Sequence, residues 1–67
     1  MGVLMEKGVL VEVVLFGGGR AKRRVVQDGG KVVIVCTESE YRRARAEGRQ
    51  PEGIGFPRGD VKVLKEC

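Results

Sequence analysis

Two basic clusters are the parts of this 67-residue chain whose residue types and spacing could do chemistry. Arg20, Lys22 and Arg24 are spaced two apart. In an extended strand alternate side chains point the same way, so Lys22 and Arg24 share one face, joined by Arg20 if the strand starts early, in a row of cations about 7 Å apart. That spacing resembles the run of phosphates along a nucleic-acid backbone, whose neutralisation releases counterions. Arg42, Arg45 and Arg49 fall at i, i+3 and i+7, one stripe of a helix, which can lie on phosphates or enter a groove. Plainer roles compete. Lys and Arg on an edge strand block edge-to-edge aggregation. On the helix, Glu38–Arg42 and Arg43–Glu47 are favourable i,i+4 pairs, which leaves Arg45 and Arg49 as the cations without a partner.

Other chemistries lack their parts. The chain has no His to serve as a general base near neutrality. Two lone cysteines, Cys36 and Cys67, are neither a Cys₄ nor a Cys₂His₂ metal set, so no metal and no cofactor is expected. Ser39 and Thr37 have local work at a helix start. Cys36 stands just before that start, where a thiol pKa can be lowered, and a thiol-based activity there is a distant third reading. Gly17-Gly18-Gly19-Arg20 could present amides to an anion, but it lacks the phosphate-loop pattern and no helix follows it. The aromatics Phe16, Tyr41 and Phe56 are better used in the core than as stacking platforms. Backbone recognition is therefore favoured over base reading. The expectation is a protein that is not an enzyme and has no small-molecule substrate.

The elements that must position these residues follow from patterning. Twelve valines lie mostly in short runs separated by eleven glycines, a strand-favouring composition. Residues 8–16 read as a first strand, residues 20–27 as its hairpin partner after the triple glycine, and residues 31–36 as a third strand after Asp28-Gly29-Gly30. Thr37-Glu38-Ser39-Glu40 is a capping box. It predicts a helix over 38–47, stopped by Gly48, with Thr37 capping the amide of Glu40 and the Glu40 carboxylate reaching back to the amide of Thr37. Residues 54–57 read as extended, with Ile54 and Phe56 as buried anchors, and residues 60–65 as the last strand. Tyr41 is expected to lay its ring on the sheet with its hydroxyl at the rim.

The fold class is thus α+β, mainly β: a small antiparallel sheet or partly open barrel in the order β-β-β-α-β-β, with one short helix. Residues 1–67 make a single domain, and 1–7 are a candidate flexible extension, with Met5 an alternative start. The first and third strands are apolar on both faces. The helix and residues 54–56 can cover one face; barrel closure or a second copy of the chain must cover the other. Small basic β-barrels of the SH3-like, chromo-like and archaeal chromatin kinds share this size and charge, although no motif here matches them residue for residue. The net charge of +4 permits a nucleic-acid partner. No stretch is long and apolar enough for a membrane, and the start lacks a secretory pattern, so a cytoplasmic location is the default expectation. The leading expectation is a non-catalytic module contacting nucleic-acid backbone through Arg20, Lys22, Arg24, Arg42, Arg45 and Arg49. The alternative is a protein-interaction or homodimerisation module using an apolar sheet face.

Overall fold

The computed structural model describes residues 6–64. Most of the expected 1–7 extension, the alternative start at Met5, the last residue of the expected 60–65 strand and Cys67 lie outside the described residues. The elements run β1 (Leu10–Val14), β2 (Arg20–Asp28), β3 (Val32–Cys36), α1 (Glu38–Glu47), β4 (Ile54–Pro57), a 3₁₀ turn (Arg58–Asp60) and β5 (Val61–Val63). All five strands join one antiparallel sheet in the order β4-β3-β2-β1-β5. The expected order and class hold. Residues 54–57 do not lie over the sheet beside the helix, as expected; they extend the sheet as an edge strand on β3.

Local chemistry explains the turns. Gly17 and Gly18 take φ of 99° and 97°, which side chains resist, and the Leu15 amide donates to the Gly19 carbonyl at 2.6 Å. Asp28 accepts from the Gly30 amide at 2.9 Å while the Gly29 amide donates to Val32, closing the second hairpin. Arg58 clamps this hairpin to the 3₁₀ turn by bonding the Gly30 carbonyl and the Asp28 carboxylate.

The sheet is strongly curled. β4 and β5 are its two edges, and four strand spacings would hold them roughly 19 Å apart if it were flat. Only Arg58–Asp60 connects them, and a 3₁₀ turn rises only about 2 Å per residue. The edges are drawn together at that end without pairing, so the barrel stays open.

Curling gives the sheet an inside and an outside. Cross-strand partners share a face, so Val13 lies with Ala21 and Val61, Val25 with Val35, and Val33 with Phe56. Val11, Val13, Val25, Val33, Val35 and Val61 form the buried cluster, supported by Val9, Leu15, Ala21 and Phe56. Each fully buried valine contributes roughly 1.5–3 kcal/mol through burial. Val26, Cys36 and Ala44 are buried outside this cluster, and α1 packs against β2.

Two expected anchors are not in the core. Phe16 is fully exposed and Ile54 is 70% exposed, whereas Phe56 is half-buried against the cluster. Strand β1 ends at Val14, so Phe16 belongs to the glycine turn and not to the pleat that would have pointed it inward.

Candidate functional site

The row on β2 forms as its spacing predicts. Leu10 pairs with Arg24, Glu12 with Lys22 and Val14 with Arg20, which sets all three cations on the outer face of the sheet. Arg23 pairs with the buried Val11 and so belongs to the opposite face. Glu12 also pairs with Lys62 of β5, which adds a fourth cation to this face. The sequence pattern of residues 60–65 made Lys62 an alternating position, but its pairing register was not readable from it.

Helix α1 packs along β2 and brings two further cations. Thr37 Oγ1 accepts from the Glu40 amide at 3.1 Å, and Gly48 takes a left-handed φ of 69° to end the helix where expected. The second half of the capping box is replaced. Glu40 does not return to Thr37; its carboxylate accepts from Arg49 Nη1 at 2.6 Å and from the Glu52 amide at 3.0 Å.

Arg49 is therefore a structural residue. It bridges Glu40 and Glu47, each at 2.6 Å, and ties the chain after the helix back to the helix start. This corrects the expectation of an unpartnered Arg49, and Glu47 is taken by Arg49 instead of Arg43. The reason is geometric. The i+7 spacing holds only inside a helix; the helix ends at Glu47, and Gly48 turns the chain before Arg49 is reached. The two carboxylates raise the Arg49 pKa above its ordinary value, and the Arg49 bond, with the Glu52 amide, lowers that of Glu40.

Arg24 has a double role. Its Nε donates to Glu38 Oε1 at 2.8 Å and its Nη1 to the Gly8 carbonyl at 3.1 Å, so the guanidinium is fixed between β2, α1 and the segment before β1. Glu38 also accepts Arg42 as an i,i+4 ion pair at 3.4 Å through its other oxygen. One carboxylate thus holds two guanidiniums side by side, and its pKa is lowered chiefly by the Arg24 hydrogen bond. Arg42 is 79% exposed in its side chain against 27% for Arg24, so Arg42 remains open to a partner.

Arg24, Arg42 and Arg45 line one open depression of about 440 Å³ with Glu38, Tyr41 and Gly8. Arg45 lies over the Tyr41 ring at 5.9 Å from its centroid. The Tyr41 hydroxyl sits directly over Gly8, where a methyl group would collide with it. The two basic clusters therefore meet at Arg24. Of the six sequence candidates the structure joins Arg20, Lys22, Arg24, Arg42 and Arg45, and separates Arg49. Tyr41 and Lys62 are members that sequence spacing did not single out, and Glu38, read from spacing only as the partner of Arg42, also holds Arg24.

The charge balance of this surface is one-sided. Arg20, Lys22, Arg24, Lys62, Arg42 and Arg45 stand against Glu12 and Glu38, a surplus of four that equals the net charge of the whole chain. The remaining charges balance.

A second depression, about 710 Å³, is largely apolar, with Asp60 the one charged residue among the described residues that line it. Val14 at the end of β1, with Leu15 and Phe16 just beyond it, faces Ile54, Phe56 and Pro57 of β4 across the unpaired seam of the sheet.

Cys36 is buried, and its pKa is raised first by burial and then by Glu40 and Glu38. Those influences oppose the activation that a helix start could supply to a thiol. Among the described residues no group of three His, Cys, Asp or Glu is placed to hold a metal, and no helix is long and apolar enough to cross a membrane. No protein-family model, curated protein or solved structure matches the chain.

Proposed function

We propose that this chain is a small non-catalytic module, a partly open barrel of the SH3-like kind, that binds nucleic-acid backbone. Its contacts are Arg20, Lys22, Arg42, Arg45 and Lys62, with Arg24 as the fixed junction between strand and helix. The observation carrying this reading is the meeting of the β2 row and the helical stripe at one depression. The edge-protecting role does not apply here, because β2 is a central strand, paired on both sides, and needs no charge to block aggregation. Of the aromatics, Tyr41 is overlaid by Arg45, Phe56 is half-buried against the core, and the fully exposed Phe16 stands at the apolar depression.

The test is a salt titration with random duplex and single-stranded oligonucleotides. The log of the binding constant should fall linearly with the log of the salt concentration. Failure to bind either probe at low salt would refute the proposal.

A second reading rests on the apolar seam. Phe16 and Ile54 expose large side chains beside one depression, which suits a protein partner or a second copy of the chain. Solution mass over a concentration series tests it, and a monomer at every concentration removes self-association.

A further inference from the structure

We infer that the depression formed by Arg24, Arg42, Arg45 and Tyr41 takes a terminal phosphomonoester of a nucleic-acid strand, in addition to the diesters along the row. The inference rests on the backbone-binding function proposed above and adds a specific subsite to it.

Three features distinguish this depression from the rest of the basic face. The first is charge. Three guanidiniums and the single carboxylate of Glu38 leave a local surplus of two. A phosphomonoester near pH 7 carries about −1.5 to −2. A diester carries a single charge, and on the row each exposed cation can meet one diester separately.

The second is preorganisation. Glu38 uses one oxygen on Arg24 Nε and the other on Arg42 Nε. Both bonds engage the inner nitrogen of the guanidinium. The outer nitrogens of Arg42 have no hydrogen bond among the described residues, and of the two on Arg24 one is spent on the Gly8 carbonyl. The carboxylate thus orients two forks without consuming the donors that a phosphate would use. Arginine forks match phosphate geometry and lose little freedom when already held.

The third is the supply of further donors. Arg45 has no hydrogen bond among the described residues and is held over the Tyr41 ring. The Tyr41 hydroxyl, seated over Gly8 in the same depression, likewise has no partner among them. A terminal phosphate has three non-bridging oxygens, against two on a diester, and can engage more of these donors at once. At a strand end the phosphate also projects without a following sugar, which lets it enter the depression from above.

The experiment uses the full chain and one short oligonucleotide made with 5′-hydroxyl, 5′-phosphate and 3′-phosphate ends, titrated by fluorescence anisotropy, alongside a phosphoserine peptide of otherwise neutral composition. An end-phosphorylated strand should bind about tenfold tighter than the hydroxyl form, the gain expected of one net charge-assisted hydrogen bond. Equal affinity for all three strands overturns the inference and leaves the backbone-binding function standing. No binding of any strand at low salt overturns both. Phosphate-dependent binding of the peptide tighter than any strand overturns the inference in favour of a phosphopeptide ligand.

Two variants separate an organised site from a merely positive surface. Glu38→Gln raises the local charge by one, so simple attraction would increase the preference for the phosphorylated end. An organised site loses that preference, because the two forks are no longer held. Arg45→Gln removes an exposed donor without touching the fold and should bring the preference back toward unity; an undiminished tenfold preference in that variant overturns the inference.

Discussion

The division of the arginines into binding and structural residues can be tested by the salt dependence of binding. Five exposed cations, Arg20, Lys22, Lys62, Arg42 and Arg45, are available on the outer face. If each neutralises one phosphate of a duplex, the slope of log K against log salt approaches about −4.5, taking about −0.9 per contact. Raising salt from about 50 to about 200 mM then weakens binding roughly 500-fold. The double substitution Lys22→Gln with Arg45→Gln removes one contact from the strand and one from the helix. Its slope should fall to about −2.7, and the same salt change should weaken binding only roughly 40-fold. Neither residue has an ion pair among the described residues, so substitutions there should leave stability within about 0.5 kcal/mol. Arg49→Gln is the matched comparison. It removes one positive charge from the chain but takes it from a clamp on Glu40 and Glu47. Its slope should equal that of the unsubstituted protein, while its urea midpoint falls. The assay is anisotropy of a labelled duplex at four or five salt concentrations, with urea unfolding in parallel. A slope reduced equally by Arg49→Gln and by Lys22→Gln alone would refute the division, since it would mean that net charge matters and placement does not.

Three further outcomes follow from particular contacts. Phe16→Ser should leave the unfolding midpoint unchanged, because the ring is fully exposed; a loss above about 2 kcal/mol, the scale of a buried aromatic, would contradict the observed position. Gly53→Ala should destabilise by about 1–3 kcal/mol in urea unfolding, since its Cβ would stand 2.5 Å from the Val35 carbonyl oxygen and 2.8 Å from Ile34 Cγ2; unchanged stability would mean that β4 can shift away freely. Glu38 and Glu40 have pKa values lowered by their arginine partners, so the stability they confer is complete above the ordinary carboxylate range and is lost as pH falls through their lowered values. The double variant Glu38→Gln with Glu40→Gln should be less stable at pH 7 and should show a flatter acid limb; parallel curves for variant and unsubstituted protein would dispose of that account.

Local elements were legible because local rules fix them. The helix bounds 38–47 follow from Thr37 as cap and Gly48 as stop, both within one turn of the residues they control. The hairpins follow from their glycines and Asp28. The common face of Arg20, Lys22 and Arg24 follows from strand alternation, and the register shows that this face points outward. Where the sequence misled, a periodicity was carried past the element that supports it. Phe16 was counted in a strand that ends at Val14, and Arg49 in a helix that ends at Glu47. Ile54 was expected inside because it is apolar, but β4 is an edge strand, and the inner face there opens to the seam.

By itself, then, the sequence determined five strands and a helix, the shared face of the basic row and the lack of a histidine or a metal set. Tertiary structure decided which cations meet. The joining of Arg24 to Arg42 depends on Glu38, fourteen residues from Arg24 in sequence, and no local pattern encodes that contact. The curl that leaves the seam open depends on three residues linking the two edges of the sheet, a constraint visible only once the strand order is known. Short-range geometry reads along the chain; long-range pairing requires that loops close and faces pack. At this length the few contacts that close the fold also set out its basic surface.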